Sequence, residues 1–149
     1  MSIQDTIADE WALRRLVYLY ARGMDRNEPD VLRDIFTEDA IIESAVAVQT
    51  GIDEILGVPA ILAKMFASTM HTVHNQTVEI GEEGAHGETY GVAYQLKKPR
   101  DGKQERLDWG IRYQDKFVRA GSQWRFARRR LIVEWTQTVP VEMLAPGRR

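Results

Sequence analysis

Long strand-like segments, separated only by turns, fill the second half of the chain and limit its fold more than any other feature. Residues 104–118 alternate between apolar and polar side chains, which is typical of a strand with one buried face. The apolar positions are Leu107, Trp109, Ile111, Tyr113 and Phe117. Similar segments cover residues 40–48, 85–97 and 123–136, and a further strand contains His71. The sequence therefore predicts a sheet of long strands.

Three helical segments are expected in the first half of the chain. Residues 4–24 carry apolar side chains three and four positions apart, as a helix with one buried stripe does. A second helix is expected after Asn27, which can cap it, with Pro29 in its first turn. A third helix is predicted over residues 59–69, after a turn or short helix at residues 50–57. We expect Gly23 to loosen the last turn of the first helix.

Helices followed by adjacent strands indicate an α+β fold rather than an alternation of strand and helix. Aromatic, half-apolar strands favour a strongly curved, mostly antiparallel sheet with one face covered by the three N-terminal helices. Such an arrangement readily encloses an apolar pocket. The last segment, which contains Pro140 and Pro146, is expected to be an irregular tail.

Composition excludes several classes of function. The 149 residues correspond to one domain. A net charge of −2 offers no broad basic surface for nucleic acid. Cysteine is absent, which removes disulfides, thiolate catalysis and thiolate metal sites and fits the cytoplasm. Because no uncharged run approaches the roughly 20 residues of a membrane span, no membrane partner is expected, and the acidic N-terminus is not a signal peptide.

Two of the three histidines, His71 and His74, lie close together in one predicted strand. Side chains alternate between the two faces of a strand, so residues three apart point to opposite sides. The pair is therefore not expected to chelate one metal ion, and we predict no metal site. One histidine is left to face the interior. We expect this to be His71, with His74 on the outer face.

His71 and Asp25 are candidates for proton transfer, because histidine titrates nearest to neutral pH and a carboxylate can orient its ring. Asp25 lies at the end of the first helix and could reach His71. The sequence allows a second interpretation, in which Asp25 caps the second helix and His71 is a hydrogen-bonded core residue. Strand alternation separates Arg129 from Arg128 and Arg130, so Arg129 either faces a substrate or joins an ion pair at the surface.

Common catalytic and cofactor motifs are missing. The chain has no phosphate-binding loop of the GxxxxGK[ST] type, no GxGxxG after a strand, no HExxH and no GxSxG. Nucleotide binding, zinc proteolysis and serine hydrolysis therefore have no support, and no cofactor is expected.

Several short motifs are spread in order along nearly the whole chain. They are YARGMDRNEPD at residues 20–30, MHTVHN at 70–75, ETY at 88–90, AY at 93–94, RYQD at 112–115, WRFA at 124–127 and EW at 134–135. In residue type and spacing they resemble the SnoaL-like proteins of the nuclear-transport-factor-like superfamily. The resemblance implies a single domain over residues 1–149 with a cone-shaped α+β barrel.

The resemblance also implies site residues. In scytalone dehydratase, the bile-acid dehydratase and hexachlorocyclohexane dehydrochlorinase, an Asp at the end of the first helix and a His opening a later strand form a dyad. These roles would fall to Asp25 and His71, with Tyr20, Tyr94 and Arg129 at substrate-binding positions. Tyr20 and Asp25 project about 140° apart on an ideal helix. Both are expected to reach one pocket only if the helix unwinds or the pocket wraps around its end.

The function implied is that of a cofactor-independent lyase with general acid–base catalysis, in the catabolism of aromatic compounds. The substrate would be a small, apolar, aromatic or alicyclic molecule, and the reaction a dehydration, a related elimination or a deformylation. An isomerase or polyketide-type cyclase with the same dyad remains an alternative, as does a non-catalytic ligand-binding or interaction module. Because relatives are dimers or trimers, a homo-oligomer is expected, with a trimer favoured over a dimer.

Overall fold

The computed structural model describes residues 2–143 and contains three helices and six strands. In chain order they are α1 (Ile3–Asp25), α2 (Pro29–Ile35), β1 (Phe36–Glu43), β2 (Val48–Thr50), α3 (Ile52–Met65), β3 (Phe66–Gly81), β4 (Gly84–Lys97), β5 (Glu105–Ala120) and β6 (Gln123–Pro140). Helix α1 begins with a capping box, in which the side chains of Ser2 and Asp5 accept each other's backbone N–H groups.

The strands form one sheet in the order β2-β1-β6-β5-β4-β3. Every neighbouring pair is antiparallel except β1 and β6, which run parallel. The predicted α+β fold, with three helices on a mostly antiparallel sheet, is confirmed. The sheet is mixed and remains open between its edge strands β2 and β3, so the predicted barrel is wrong in this respect, although the architecture is cone-like.

One face of the sheet, called the inner face here, carries the core. Helix α1 contacts β3 and β6 across this face. The core side chains that the sheet contributes are Phe36, Ala40, Ile42, Ala85, Ala93, Ile111, Tyr113, Phe117, Trp124 and Phe126. Those from the helices include Leu13, Val17, Tyr20, Leu32 and Ile55. This packing fixes the last turn of α1 against β3, which is where the candidate site lies.

Two details of the helices differ from the sequence-based expectation. Gly23 does not loosen α1, which stays helical to Asp25. A Cβ at Gly23 would lie 2.6 Å from a methyl carbon of Leu32, so this glycine permits close packing of α2. Asn27 does not cap α2 with its side chain, because it adopts a left-handed conformation with φ of 52° in the turn before it.

Several boundaries also differ. The strand expected over residues 40–48 is replaced by β1, which ends at Glu43, and the short strand β2. Helix α3 spans Ile52–Met65 and contains Pro59 in its interior, so the predicted turn and third helix are one element. Strand β3 begins at Phe66, earlier than expected. Strand β6 continues to Pro140 at the end of its pairing with β5, and Pro146 lies outside the described residues. Within residues 2–143, no helix combines the length and apolar character needed to cross a membrane.

Candidate active site

His71 and Asp25 meet where the end of α1 lies against β3. The carboxylate oxygen Oδ1 of Asp25 is 2.5 Å from Nδ1 of the His71 ring, and Oδ2 accepts the backbone N–H of His71 at 2.8 Å. The hydroxyl of Thr69 donates to Oδ1 at 2.8 Å. Both side chains are mostly buried, with 12% of His71 and 19% of Asp25 exposed. Asp25 therefore orients this histidine instead of capping α2.

The electrostatics of Asp25 favour its ionised form. Burial alone would raise the pKa of Asp25, but the hydrogen bonds and charge of His71, with the hydroxyl of Thr69, hold that pKa below its usual range. An ionised carboxylate only accepts hydrogen bonds, so Nδ1 of His71 must carry its proton as the donor. This arrangement leaves Nε2 of the ring as the nitrogen that can take up a proton.

Tyr20 reaches the same ring from α1. Its ring centroid lies 6.4 Å from that of His71, and the two rings are nearly perpendicular at 81°. Asp25 and Tyr20 can thus both contact His71 although α1 does not unwind, because the imidazole lies alongside the end of the helix. Burial raises the pKa of Tyr20 to about 12, so its phenol keeps its proton at neutral pH.

Arg129 lies on the inner face, fully buried beside Tyr20. Its guanidinium carbon is 4.2 Å from the ring centroid of Tyr20 and 3.8 Å from that of Tyr113, with Phe126 at 4.8 Å. Its nearest carboxylate is that of Asp115, 3.6 Å from Nε, and both side chains are at most 1% exposed. Arg128 and Arg130, by contrast, are exposed and face Glu43.

Sequence reasoning did not select Asp115. The signal was present, because Asp115 has the same parity as Tyr113 and Phe117 in the alternating β5 segment and is therefore a carboxylate on an apolar face. Burial raises its pKa to about 6, and the positive charge of Arg129 opposes this shift without cancelling it.

The structure does not bring Tyr94 together with the other predicted residues. On β4, Ala93 pairs with His71, whereas Tyr94 pairs with Met70 and lies on the opposite, outer face. There its ring lies under the guanidinium of Arg106, at 4.5 Å. We therefore leave Tyr94 out of the site.

Tyr94 faces outward because it alternates with Ala93 along β4, and a bulge in β3 between Val73 and Gln76 places His71 opposite Ala93. Beyond the bulge, toward the hairpin turn, Gln76 pairs with Thr89. If that register continued without a shift, His71 would pair with Tyr94 and would lie on the outer face with it. His74 falls in the bulge and is exposed.

A small cavity lies beside Asp25. Its volume is about 140 Å³, and its lining includes Asp25, Thr69, Leu62 and Phe66 but not His71. On the inner face the half-buried side chains of Val73, Leu131 and Trp109 pack beside the core. The surroundings of the dyad are thus largely apolar and closely filled.

Residues 2–143 bring no three His, Asp or Glu side chains close enough together to hold a metal ion. The His71 ring has a polar contact with Asp25 and a perpendicular aromatic contact with Tyr20.

Comparison with solved structures identifies the class of fold. A candidate scytalone dehydratase from Novosphingobium aromaticivorans superposes with a TM-score of 0.80 and 24% identity, over 99% of both chains. A type 2 hexachlorocyclohexane dehydrochlorinase gives a TM-score of 0.86 at 18% identity, over 98% of this chain and 99% of that one. The type 3 enzyme from Novosphingobium barchaimii gives 0.83 at 15% identity, over 98% and 100%. The protein therefore has the α+β cone-like fold of the nuclear-transport-factor-like class.

A family model describes the chain more specifically. The model of the SnoaL-like domain matches residues 5–130, and the chain belongs to this family. A comparison with curated proteins finds no significant match.

Proposed function

We propose that this protein is a cofactor-independent lyase in which His71, oriented by Asp25, removes a proton from carbon. The observation that carries the proposal is the 2.5 Å contact between Nδ1 of His71 and Oδ1 of Asp25 on the helix-covered face of the sheet. Membership of the SnoaL-like family supports it. Proteins of the same fold include a candidate dehydratase and dehydrochlorinases, and both names denote eliminations.

The proposed step is an elimination with His71 as the general base. Nε2 takes a proton from the carbon next to the one that carries the leaving group. The electron pair of the broken C–H bond forms the new C=C bond, and the leaving group departs with its own bonding electrons. Asp25 stabilises the imidazolium that results. A departing hydroxyl takes the proton back from the imidazolium and leaves as water, which restores the base.

Tyr20 and Arg129 are proposed to bind the oxygen of the substrate. The phenol of Tyr20 stays protonated because burial raises its pKa to about 12, so it can donate a hydrogen bond to a carbonyl or leaving oxygen. The guanidinium of Arg129 lies against the ring of Tyr20 and adds positive charge beside it. Charge that develops on the oxygen during proton removal would be stabilised by both groups.

A small, apolar, cyclic molecule is the substrate class that we propose. The apolar side chains around the dyad, including Trp109 and Leu62, favour an aromatic or alicyclic ring over a charged one. A deformylation, which releases a one-carbon aldehyde, would use the same base.

Two other functions remain candidates. An isomerase or polyketide-type cyclase would use the same base but would lose no group from its substrate. A non-catalytic ligand-binding or interaction module is favoured by the close packing of Tyr20, Tyr113 and Phe126 around Arg129, because a filled interior leaves little room for a substrate.

The experiment is a turnover assay of the purified protein with scytalone, hexachlorocyclohexane and cyclic β-hydroxy ketones as probes, analysed by mass spectrometry. An elimination lowers the mass of the organic product by the mass of water or hydrogen chloride, whereas an isomerisation conserves it. The variant His71→Ala should lose about 10²–10⁴-fold in rate. His74→Ala is the matched control, since it removes an exposed histidine three positions away on the same strand.

Each outcome assigns one function. Loss of a fragment that depends on His71 supports the lyase, and a product of unchanged mass supports the isomerase. Binding of probes without any turnover supports the non-catalytic module. Turnover that survives His71→Ala contradicts the proposed mechanism.

We also propose that the protein is a homo-oligomer, with a trimer favoured over a dimer.

A further inference from the structure

Asp115 borders the proposed site, because it contacts Arg129 but neither His71 nor Asp25. We propose that Asp115 is a positioning residue that holds the guanidinium of Arg129 against Tyr20. It would thereby fix the position of the positive charge in the proposed site. The placement of Arg129 by Asp115 stands on geometry alone. Its catalytic consequence rests on the proposed function.

The backbone brings the two residues together. Asp115 on β5 and Arg129 on β6 are directly opposite each other in the antiparallel ladder, and both point to the inner face. Side chains opposite each other in a ladder lie close enough to interact. The bulge between Lys116 and Phe117 changes the register next to this pair, so the arginine on the inner face is Arg129 and not its exposed neighbour Arg128.

The aromatic rings and the carboxylate restrain Arg129 in different ways. Tyr20 and Tyr113 lie 4.2 and 3.8 Å from the guanidinium carbon, and their ring centroids are 6.0 Å apart. Contacts between a cation and ring faces are favourable but impose little direction within the plane of the ring. The carboxylate of Asp115, 3.6 Å from Nε, supplies the directional attraction. Together they define where the charge lies.

Charge attraction is the main polar restraint on this guanidinium. Among the described residues, neither carboxylate oxygen of Asp115 has a hydrogen-bond partner, and neither do Nε and Nη1 of Arg129. The pair is therefore poorly suited to stabilise the fold, because burial of two charges without further hydrogen bonds costs much of what their attraction returns. Its clear structural effect is the position of the guanidinium.

A chain of contacts connects this pair to the dyad. Asp115 faces Arg129, Arg129 lies on the ring of Tyr20, and Tyr20 meets the edge of His71, which is bonded to Asp25. If Arg129 loses Asp115, the guanidinium is free to move on the ring of Tyr20. The part of the site next to Tyr20 then loses its fixed positive charge.

Nuclear magnetic relaxation of the arginine Nε–H groups tests this directly and needs no substrate. The signal of Arg129 is assigned by its loss in Arg129→Lys. In the native protein we expect an order parameter of roughly 0.85, as for a rigid group, and in Asp115→Asn a fall below about 0.6. Asp108→Asn is the matched control, because it removes an equally buried carboxylate of β5 that pairs with Arg106 on the outer face. That change should leave Arg129 rigid.

A pH series on the native protein provides a second measurement if Asp115→Asn does not fold. Burial raises the pKa of Asp115 to about 6, so its charge is lost as the pH falls from ~7.5 to ~4.5. The order parameter of Arg129 should fall with the same midpoint as the carboxyl carbon signal of Asp115.

The other titratable groups near Asp115 can be separated from it. Burial raises the pKa values of Tyr20 and Tyr113, which stay neutral throughout, and the lowered pKa of Asp25 keeps that carboxylate ionised. Repeating the series in His71→Ala removes the imidazole.

The proposal is overturned if Arg129 stays rigid in folded Asp115→Asn, or if it stays rigid while the carboxyl signal of Asp115 titrates. Failure of the turnover assay with every probe would count against the proposed lyase alone, because these relaxation measurements report on Arg129 whether or not the protein is an enzyme.

Discussion

At the scale of single residues, Asp25 carries the largest number of polar contacts in the proposed site. Its carboxylate accepts hydrogen bonds from the hydroxyl of Thr69 and from both the backbone and the ring of His71. These contacts hold the pKa of Asp25 below its usual range. Because the folded state favours ionised Asp25, this residue stabilises the protein fully at pH values above its pKa in the unfolded chain. The contribution is lost as the pH falls through the lower pKa that Asp25 has in the folded protein.

The first prediction follows from that sign. Asp25→Asn should lower the free energy of unfolding by about 1–3 kcal/mol above pH ~5, because partly buried donors lose a charged acceptor. The difference between native protein and variant should shrink as the pH falls below about 4, where Asp25 becomes protonated in the unfolded chain. Urea unfolding at several pH values measures it. A difference that stays constant down to the lowest pH would contradict the assignment of an ionised Asp25.

Two substitutions of Tyr20 distinguish its role in packing from its proposed role in the reaction. Its ring contacts Phe36, Tyr113 and Phe126 as well as His71. Tyr20→Ala should therefore cost about 3–5 kcal/mol of stability, as loss of a buried aromatic ring does. Tyr20→Phe keeps the ring, so it should unfold at nearly the native temperature but turn over substrate more slowly, since it lacks the phenol proton. Thermal unfolding and kcat distinguish the two effects, and equal kcat values for Tyr20→Phe and the native protein would exclude the hydroxyl from the reaction.

Sequence patterns located some of these residues and not others, for physical reasons. Strand alternation indicated an inward histidine, and His71 does lie on the inner face. The face of His71, however, depends on the bulge after Val73, which shifts the register between β3 and β4 by one residue and pairs His71 with Ala93 instead of Tyr94. Local alternation contains no information about such a shift. The inward position of Asp115 could have been predicted from strand alternation alone, because it falls at the next position in the series of apolar residues on β5.

At the scale of elements, the close packing of α1 against α2 holds the end of α1 in place. Gly23 allows this approach, because a Cβ there would be 2.6 Å from one carbon of Leu32 and 3.0 Å from another. Leu32 is fully buried. The position of Asp25, two residues after Gly23, depends on this contact.

Two glycine substitutions test the packing. Gly23→Ala should destabilise the protein by about 1–3 kcal/mol through overpacking, despite the better helix propensity of alanine. Gly57→Ala is the control, since Gly57 is an exposed residue of α3 and a Cβ there meets nothing within 4 Å. It should stabilise the protein by roughly 0.5–1 kcal/mol. Chemical unfolding of both variants gives the comparison, and equal effects would show that Gly23 serves no packing role.

Element types were more predictable than their ends. The spacing of hydrophobic residues in the sequence identified α1 and the long strands β4, β5 and β6 close to their observed bounds. The sequence-based prediction divided α3 at Pro59, because proline lacks the N–H group that forms a hydrogen bond inside a helix. In the structure the helix continues through Pro59. The parallel pairing of β1 with β6 joins segments far apart in the chain, and no local pattern indicates it.

At the scale of the whole molecule, the outer face of the sheet carries large apolar residues that are exposed in the single chain, among them Met70, Tyr90 and Trp135. Apolar surface of this kind is typical of interaction sites when it is contiguous. We predict a homo-oligomer, with a trimer favoured over a dimer. Sedimentation at micromolar concentration measures the mass directly, and a monomer of 17.1 kDa would contradict the prediction.

The central claim is that His71, held by Asp25, removes a proton from carbon. The most direct measurement follows the loss of C–H signals from the cyclic β-hydroxy ketone probes in deuterated water by proton magnetic resonance. The native protein and His74→Ala should deplete these signals at equal rates, whereas His71→Ala and Asp25→Asn should be slower by about 10²–10⁴-fold. Proton loss from carbon that continues at the native rate in His71→Ala would contradict the claim.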